Sequence, residues 1–311
     1  MSTRGKADPG SGREPVRPEP VTPTLLRDWP LPGGGSGKDD RGSVLVIGGA
    51  RMTPGAALLA GVAALRSGAG RLTLAVAEST AVHLAVALPE AGVLALPETA
   101  SGSVKGAAAA DVVASAVESA DAVLVGPGLD DKDEATALLR GLLKLPAGNT
   151  PPAIILDAFA LGSLPEMAGE LGPWAGRLIL TPNVTEAGIL LGHDAGELAR
   201  DVPELAEKYG AVVSCQGVIA GPGGEAGRSG ASLWEITTGH SGLGTSGSGD
   251  VLSGTIAGLR ARGTTDAQAT CWGTHLHASA GDRLASRLGS LGYLARELTE
   301  ELPPLMMELG S

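Results

Sequence analysis

The chain has 311 residues, 43% of them hydrophobic and 18% charged, and a formal net charge of −11. That length and composition allow one large α/β domain with a sizeable core, or two small ones, and exclude a globally disordered chain. No lysine–arginine cluster offsets the acidic balance and aromatic residues make up only 2%, so the basic face and the base-stacking platforms of a nucleic-acid binder are both missing.

Two cysteines, Cys215 and Cys271, are too few for a disulfide framework or a four-cysteine zinc site and read as reduced thiols. No apolar run reaches spanning length uninterrupted, and the first residues lack the apolar core of a signal peptide. A cytoplasmic protein with no membrane partner is expected.

Residues 1–20 are rich in Pro, Gly, Arg, Glu and Ser without apolar periodicity. They read as a disordered tail, leaving residues 21–311 as a single domain. Residues 33–40 (GGGSGKDD) look like a flexible loop, with order beginning at Gly42. Ser43–Ile47 (SVLVI) is a continuous apolar run, as in a strand buried on both faces, and ends in Gly48-Gly49. Pro54 suits a first helical turn, and residues 55–67 read as a small-residue helix stopped by 68–70. Arg71–Ala77 is the next strand, which completes a strand–loop–helix–strand unit of a parallel sheet.

The pattern recurs. Ala122–Val125 ends in Gly126-Pro127-Gly128, Ala153–Leu156 ends at Asp157, Leu178–Leu180 ends at Thr181-Pro182, and residues 211–214 form another strand. Residues 185–191 read as a helix, 219–238 as a turn-rich β segment, and Asp266–Leu288 as a long helix. A last helix is expected over 295–307, interrupted or started near Pro303. In open parallel sheets ligands bind beyond the carboxyl ends of the strands, so those turns are where chemistry is expected.

Residues 242–254 read GLGTSGSGDVLSG, with helical character over 251–259. A glycine-rich turn feeding a helix exposes backbone N–H groups without intrahelical partners, and the helix dipole adds positive potential there. Asp250 stands in the first turn of that helix. It is either an N-terminal capping carboxylate or the general base of a phosphate cradle, and spacing alone does not choose between them.

The stretch TSGSGDVLSGTIAGLRARG resembles the C-terminal signature of the ribokinase-like family. More narrowly, VLVIGGARMTPGAALLAGVAALRSGAGRLTLAV, VLVGPGL, IILDAFAL, LILTPNVTEAGILLG and THLHASAGDRLASRLGSLGYLARELTEELPPLM resemble, in consistent order, segments of the ADP/ATP-dependent NAD(P)H-hydrate dehydratases. The resemblance implies an α/β ribokinase-like fold, a central mostly parallel sheet with helices on both faces. It implies phosphorylation of the ring hydroxyl of the S-epimer of hydrated NADH or NADPH by ADP or ATP, followed by loss of phosphate. Mg²⁺ and a homo-oligomer come with it. The tail before Gly42 is too short for the epimerase domain to which some relatives are fused, so an epimerase, if needed, is expected on a separate chain.

Carried over residue by residue, the resemblance makes Asp250 the catalytic base. The amides of Gly247, Ser248 and Gly249 become an anion hole, and Gln216, Gly217 and Gly249 contact the nucleotide. Ala56, Gly126, Gly128, Asn183 and Asp250 line the hydrate's pocket. The plain alternative for the small residues is close packing. Glu186 is either a first-turn carboxylate that complements the helix dipole, the favoured reading, or an indirect Mg²⁺ ligand through water. Three departures stand out: Asn183 replaces the family's histidine, Phe159 its second aspartate, and Gln216 its lysine.

His275 and His277 lie two apart on a helix, which is not zinc-ligand spacing, and read as packing and hydrogen-bonding residues. Two further functions stay open: a small-molecule kinase of the same fold, of the hydroxyethylthiazole or pyridoxal type, and a non-catalytic nucleotide-binding homologue.

Overall fold

The computed structural model of the chain describes residues 17–146, 148, 150–223 and 233–310. It opens with β1 (Glu19–Pro20) and α1 (Pro23–Asp28), followed by β2 (Ser43–Ile47), α2 (Pro54–Arg66), β3 (Arg71–Ala77), α3 (Glu78–Ala87) and β4 (Gly92–Leu96). After α4 (Gly106–Ser119) come β5 (Ala122–Val125), α5 (Lys132–Leu143), β6 (Ala153–Leu156), α6 (Leu164–Met167) and β7 (Leu178–Leu180). Helices α7 (Val184–Leu191) and α8 (Leu198–Tyr209) lead to β8 (Val212–Cys215), β9 (Val218–Ala220) and β10 (Leu233–Glu235). The chain closes with α9 (Ser248–Ala261), α10 (Asp266–Leu288) and α11 (Ala295–Glu308).

The strands form one sheet in the order β1-β10-β9-β8-β7-β6-β5-β2-β3-β4. Strands β2 to β8 run parallel, while β9 and β10 add an antiparallel hairpin edge on which β1 pairs. Alternate residues feed two cores, as the pleat requires. Val44, Val46, Leu74 and Leu124 face a core shared with α2, α9, α10 and α11. Leu45, Ile47, Val123 and Val125 face one shared with α4, α5, α7 and α8. Helices therefore cover both faces of a mostly parallel sheet, as expected.

Strands β3 and β4 lie on one side of β2, and β5 to β8 on the other. The winding order of the sheet reverses between β2 and β5, the kind of switch point beyond whose carboxyl ends parallel sheets bind ligands. Two glycine loops meet there. The Gly49 amide donates to the Pro127 carbonyl and the Ala50 amide to the Gly128 carbonyl, each at 2.8 Å.

Two expectations change. Order begins well before Gly42. Glu19–Pro20 pair with Trp234 and Glu235, which trims the end of the expected tail; residues 1–16 lie outside the described residues. Thr22 caps α1 by accepting from the Leu25 amide at 3.2 Å. The rest of this N-terminal strap is held by distant partners, a signal no local pattern carries. Gln268 and Trp272 side chains donate to the Trp29 carbonyl at 3.0 and 2.8 Å, and Arg262 to that of Pro32 at 2.8 Å. Second, α11 runs unbroken through Pro303 and Pro304. The segment expected as β over 219–238 does carry strands, β9 and β10 at its two ends, and its residues 224–232 lie outside the described residues.

Candidate active site

The sheet's ladder extends past the strand ends into the turns. Gly126 N–H donates to Ile47, Asp157 N–H to Val125 and Thr181 N–H to Leu156, at 3.1–3.2 Å. Each turn residue is thereby held at the carboxyl edge. Gly126, at φ 130°, lies so near Asp157 that a β-carbon would sit 1.8 Å from its carbonyl oxygen. A β-carbon on Gly128, at φ 75°, would meet the Thr53 carbonyl at 2.3 Å and Ala56 at 3.1 Å. Close approach and positive φ both demand glycine at these two positions. Ala56 and Gly128 are thus in contact, and Gly126 stands beside them at the same edge.

The Asp250 turn reaches the same edge because α9 packs on α2 and against β2, β5 and β6. Gly247, at φ 87°, is the N-cap of α9 and offers no side chain to cap it. No acceptor among the described residues takes the amides of Gly247, Gly249 or Asp250, whereas the Ser248 amide donates to Thr245 at 3.2 Å. Open space surrounds Gly249. The helix start therefore presents unpaired donors and positive potential to a ligand. Asp250 is half-buried, and burial pushes its carboxyl up to about 6.

A second carboxylate stands close by. Asp157 is buried at the end of β6, where the Thr181 hydroxyl donates to it at 2.9 Å. Burial, with the charges of Asp250 and Glu186 adding, raises its carboxyl to about 7. Phe159, in place of the family's second aspartate, is exposed.

Asn183 and Glu186 form a reciprocal cap at the start of α7. Asn183 Oδ1 accepts from the Glu186 amide and Glu186 Oε2 from the Asn183 amide, both at 2.9 Å. The favoured capping reading of Glu186 is what the structure contains. Its other oxygen, Oε1, and the Asn183 amide nitrogen keep their capacity for a ligand. No three metal-ligating side chains converge among the described residues, so a bound Mg²⁺ would lean on phosphate oxygens and water, its usual habit. A single half-buried carboxylate suits that mode.

Gln216 and Gly217 form the two-residue turn between β8 and β9, with Cys215 paired to Val218. Their φ values, 45° and 86°, are both positive, as in the type I′ turn that favours Asn-Gly. Ala158 and Gln216 are the only non-glycine residues with positive φ among the described residues. Both closely follow strands, Ala158 two residues after Leu156 at the end of β6 and Gln216 immediately after β8.

The sequence reading gave His277 and the end of α10 no place in the site. His277 Nε2 is hydrogen-bonded to Ser248 Oγ at 2.8 Å. Asp282 accepts from the Thr238 hydroxyl and, at 2.9 Å, from the Gly239 amide. His240 Nδ1 accepts from Gly242 at 2.8 Å, so Nε2 carries the proton and donates to the Gly281 carbonyl. The His-x-x-Ala-Gly-Asp spacing was the available signal: its residues brace the loop that leads into the Asp250 turn.

A family model described as NAD(P)H-hydrate dehydratase matches residues 44–304. The ADP-dependent (S)-NAD(P)H-hydrate dehydratase of Xanthomonas campestris pv. campestris is 40% identical, over 93% of this chain and 96% of that protein. The bifunctional NAD(P)H-hydrate repair enzyme of Moorella thermoacetica is 35% identical over 86% of this chain, which spans about half of that longer protein (50%). Among solved structures, the ADP/ATP-dependent NAD(P)H-hydrate dehydratase of Bacillus subtilis, co-crystallized with ATP/Mg²⁺, superposes with a TM-score of 0.74. It is 26% identical and covers 94% of this chain and 99% of that one.

Proposed function

The chain belongs to the NAD(P)H-hydrate dehydratase family, and on that premise we propose that it is an ADP-dependent (S)-NAD(P)H-hydrate dehydratase of ribokinase-like fold. The observation that carries this reading is Asp250, a carboxylate with a raised pKa set at the uncapped start of α9, beside open amides.

The hydrate sits at the switch point between the β2 and β5 turns, against Ala56, Gly126 and Gly128, with the Asn183 amide in reach. Nucleotide approaches from the Gln216-Gly217 hairpin and Gly249. Asp250 takes the proton of the ring hydroxyl as its oxygen attacks the terminal phosphoryl group of ADP, releasing AMP. The amides of Gly247 and Gly249, with that of Asp250 itself, gather the charge that develops on the phosphoryl oxygens. The Ser248 amide, expected to join them, is instead taken by the Thr245 carbonyl at 3.2 Å. Loss of phosphate and of a ring proton then restores the reduced nicotinamide. Mg²⁺, held by nucleotide phosphates and through water by Glu186, would supply further neutralisation of that charge. ADP rather than ATP is the proposed donor, and a homo-oligomer in the cytoplasm is the proposed form and setting of the enzyme.

The test is turnover of hydrated NADH with ADP, read as returning reduced-nicotinamide absorbance and AMP release. Asp250→Asn should lower kcat by about 10²–10⁴-fold. Full-speed turnover by that variant, or accumulation of a stable phosphorylated product, would overturn the assignment.

A further inference from the structure

We propose that His277 is a positioning residue for this reaction: through its hydrogen bond to Ser248 it fixes the first turn of α9, and with it the amides and carboxylate of Gly249-Asp250. The inference rests on the Asp250 site described above.

The turn itself is poorly anchored. Residues 247–249 read Gly-Ser-Gly, so Ser248 is the one side chain that can tie them to the rest of the molecule. Glycines on both sides leave the backbone more conformational freedom than any other residue would. Ser248 does not use its hydroxyl to cap its own helix; the hydroxyl meets His277 Nε2 at 2.8 Å, with both residues buried. The amides of α9 are thereby left to a ligand while the chain bearing them is held.

His277 sits on a rigid support. One turn earlier on α10, Thr274 Oγ1 bonds Ser214 Oγ of β8 at 3.0 Å. One turn later, the Gly281 carbonyl accepts from His240. Positions 274, 277 and 281 share a helix face, and that face ties the end of β8, the anion turn and the loop before it to one element. Burial holds the His277 imidazole down to about 4, so it stays neutral in the physiological range and places no competing charge beside the phosphoryl group. A neutral imidazole offers one donor and one acceptor nitrogen. Glutamine places an amide where Nε2 lies, asparagine falls short of it, and leucine fills the space without bonding.

Displacing a reacting group by about an ångström costs up to about 100-fold in rate. The loss should appear in kcat, since the amides act on charge that develops during transfer. The experiment measures kcat and KM for ADP and hydrated NADH in His277→Leu, His277→Gln, Ser248→Ala, the Leu/Ala double variant and Asp250→Asn. His277→Leu and Ser248→Ala should each lose about 10–100-fold in kcat, with both KM values within about threefold of the parent. The double variant should be no slower than the slower single one, and His277→Gln should recover most of the rate. Should His277→Leu fail to fold, Ser248→Ala and His277→Gln decide. Full kcat in Ser248→Ala, a loss confined to KM, or no recovery by glutamine would overturn the role of His277. Full activity in Asp250→Asn would overturn the site itself, so the two failures are distinguishable.

Discussion

Gly254 of α9 lies against Ala60 of α2 so closely that a β-carbon on the glycine would stand 2.1 Å from the Ala60 carbonyl oxygen. Gly258 repeats the contact one turn later, against Ala64 at 2.4 Å. The opposing atom is backbone in each case, so no rotamer change relieves a methyl group placed there. Gly254→Ala should destabilise the fold by about 1–3 kcal/mol, the usual penalty for overpacking, read as a lower urea midpoint with unchanged slope. The two helices carry Ala56 and Asp250 at their starts, so the hydrate's KM should rise as well. An unchanged midpoint would mean that α2 and α9 part without penalty.

The pKa of Asp250 sets the acid limb of activity. A general base must be ionised to accept a proton, and burial lifts this carboxyl from 3.8 to about 6. Below pH 6 the ionised fraction falls tenfold per unit. kcat/KM for hydrated NADH should follow it, bending near pH 6 instead of near 4. A rate flat down to pH 5 would assign the proton to another group.

Asp157 makes a stability prediction of definite sign. Burial raises its carboxyl from the ordinary 3.8 to about 7 in the folded chain. Between those values the folded chain holds a proton that the unfolded chain has released, so stability falls as pH rises through that window and levels off above 7. Asparagine keeps an acceptor for the Thr181 hydroxyl and cannot ionise. Asp157→Asn should therefore flatten the melting profile between pH 4 and 7 and raise the melting temperature at pH 8. A variant less stable than its parent at pH 8 would refute the buried-acid account.

The parallel-sheet frame was legible because its strands are continuous apolar runs closed by glycine or a polar residue; Ser43–Ile47 and Ala153–Leu156 fold as read. The helices α3, α4, α5 and α8 were missed, and so was the strap around Trp29. In α3 and α4 alanine dilutes the apolar period, and the strap depends on Gln268 and Trp272 more than two hundred residues away. At the site, the glycines of the switch point and the Asp250 turn were readable from spacing and resemblance. The Ser248–His277 bond was not, since nothing local ties residue 248 to residue 277. Glu186 shows the opposite limit: Asn183 and Glu186 at N-cap and N3 announce a cap, and the pattern is silent on whether a metal also visits.

Gln216 stands where the resembled family places a lysine, and the structure puts it at the tip of the β8–β9 hairpin, exposed, with φ 45°. Glutamine and lysine are both unbranched at Cβ and meet the same left-handed backbone strain, so exchanging them alters charge with little change in folding. If nucleotide phosphates lie beside this turn, Gln216→Lys should tighten ADP binding by about 1.4- to fivefold, the 0.2–1 kcal/mol scale of an exposed ion pair. Gln216→Glu should weaken it by a similar factor. Both effects should shrink as salt shortens the screening length from about 10 Å at 0.1 M to about 3 Å at 1 M. Calorimetric titration of ADP at two ionic strengths reads all of this. Equal ADP affinity in the lysine and glutamate variants at low salt would place the phosphates away from the hairpin and leave the α9 amides as their main contact.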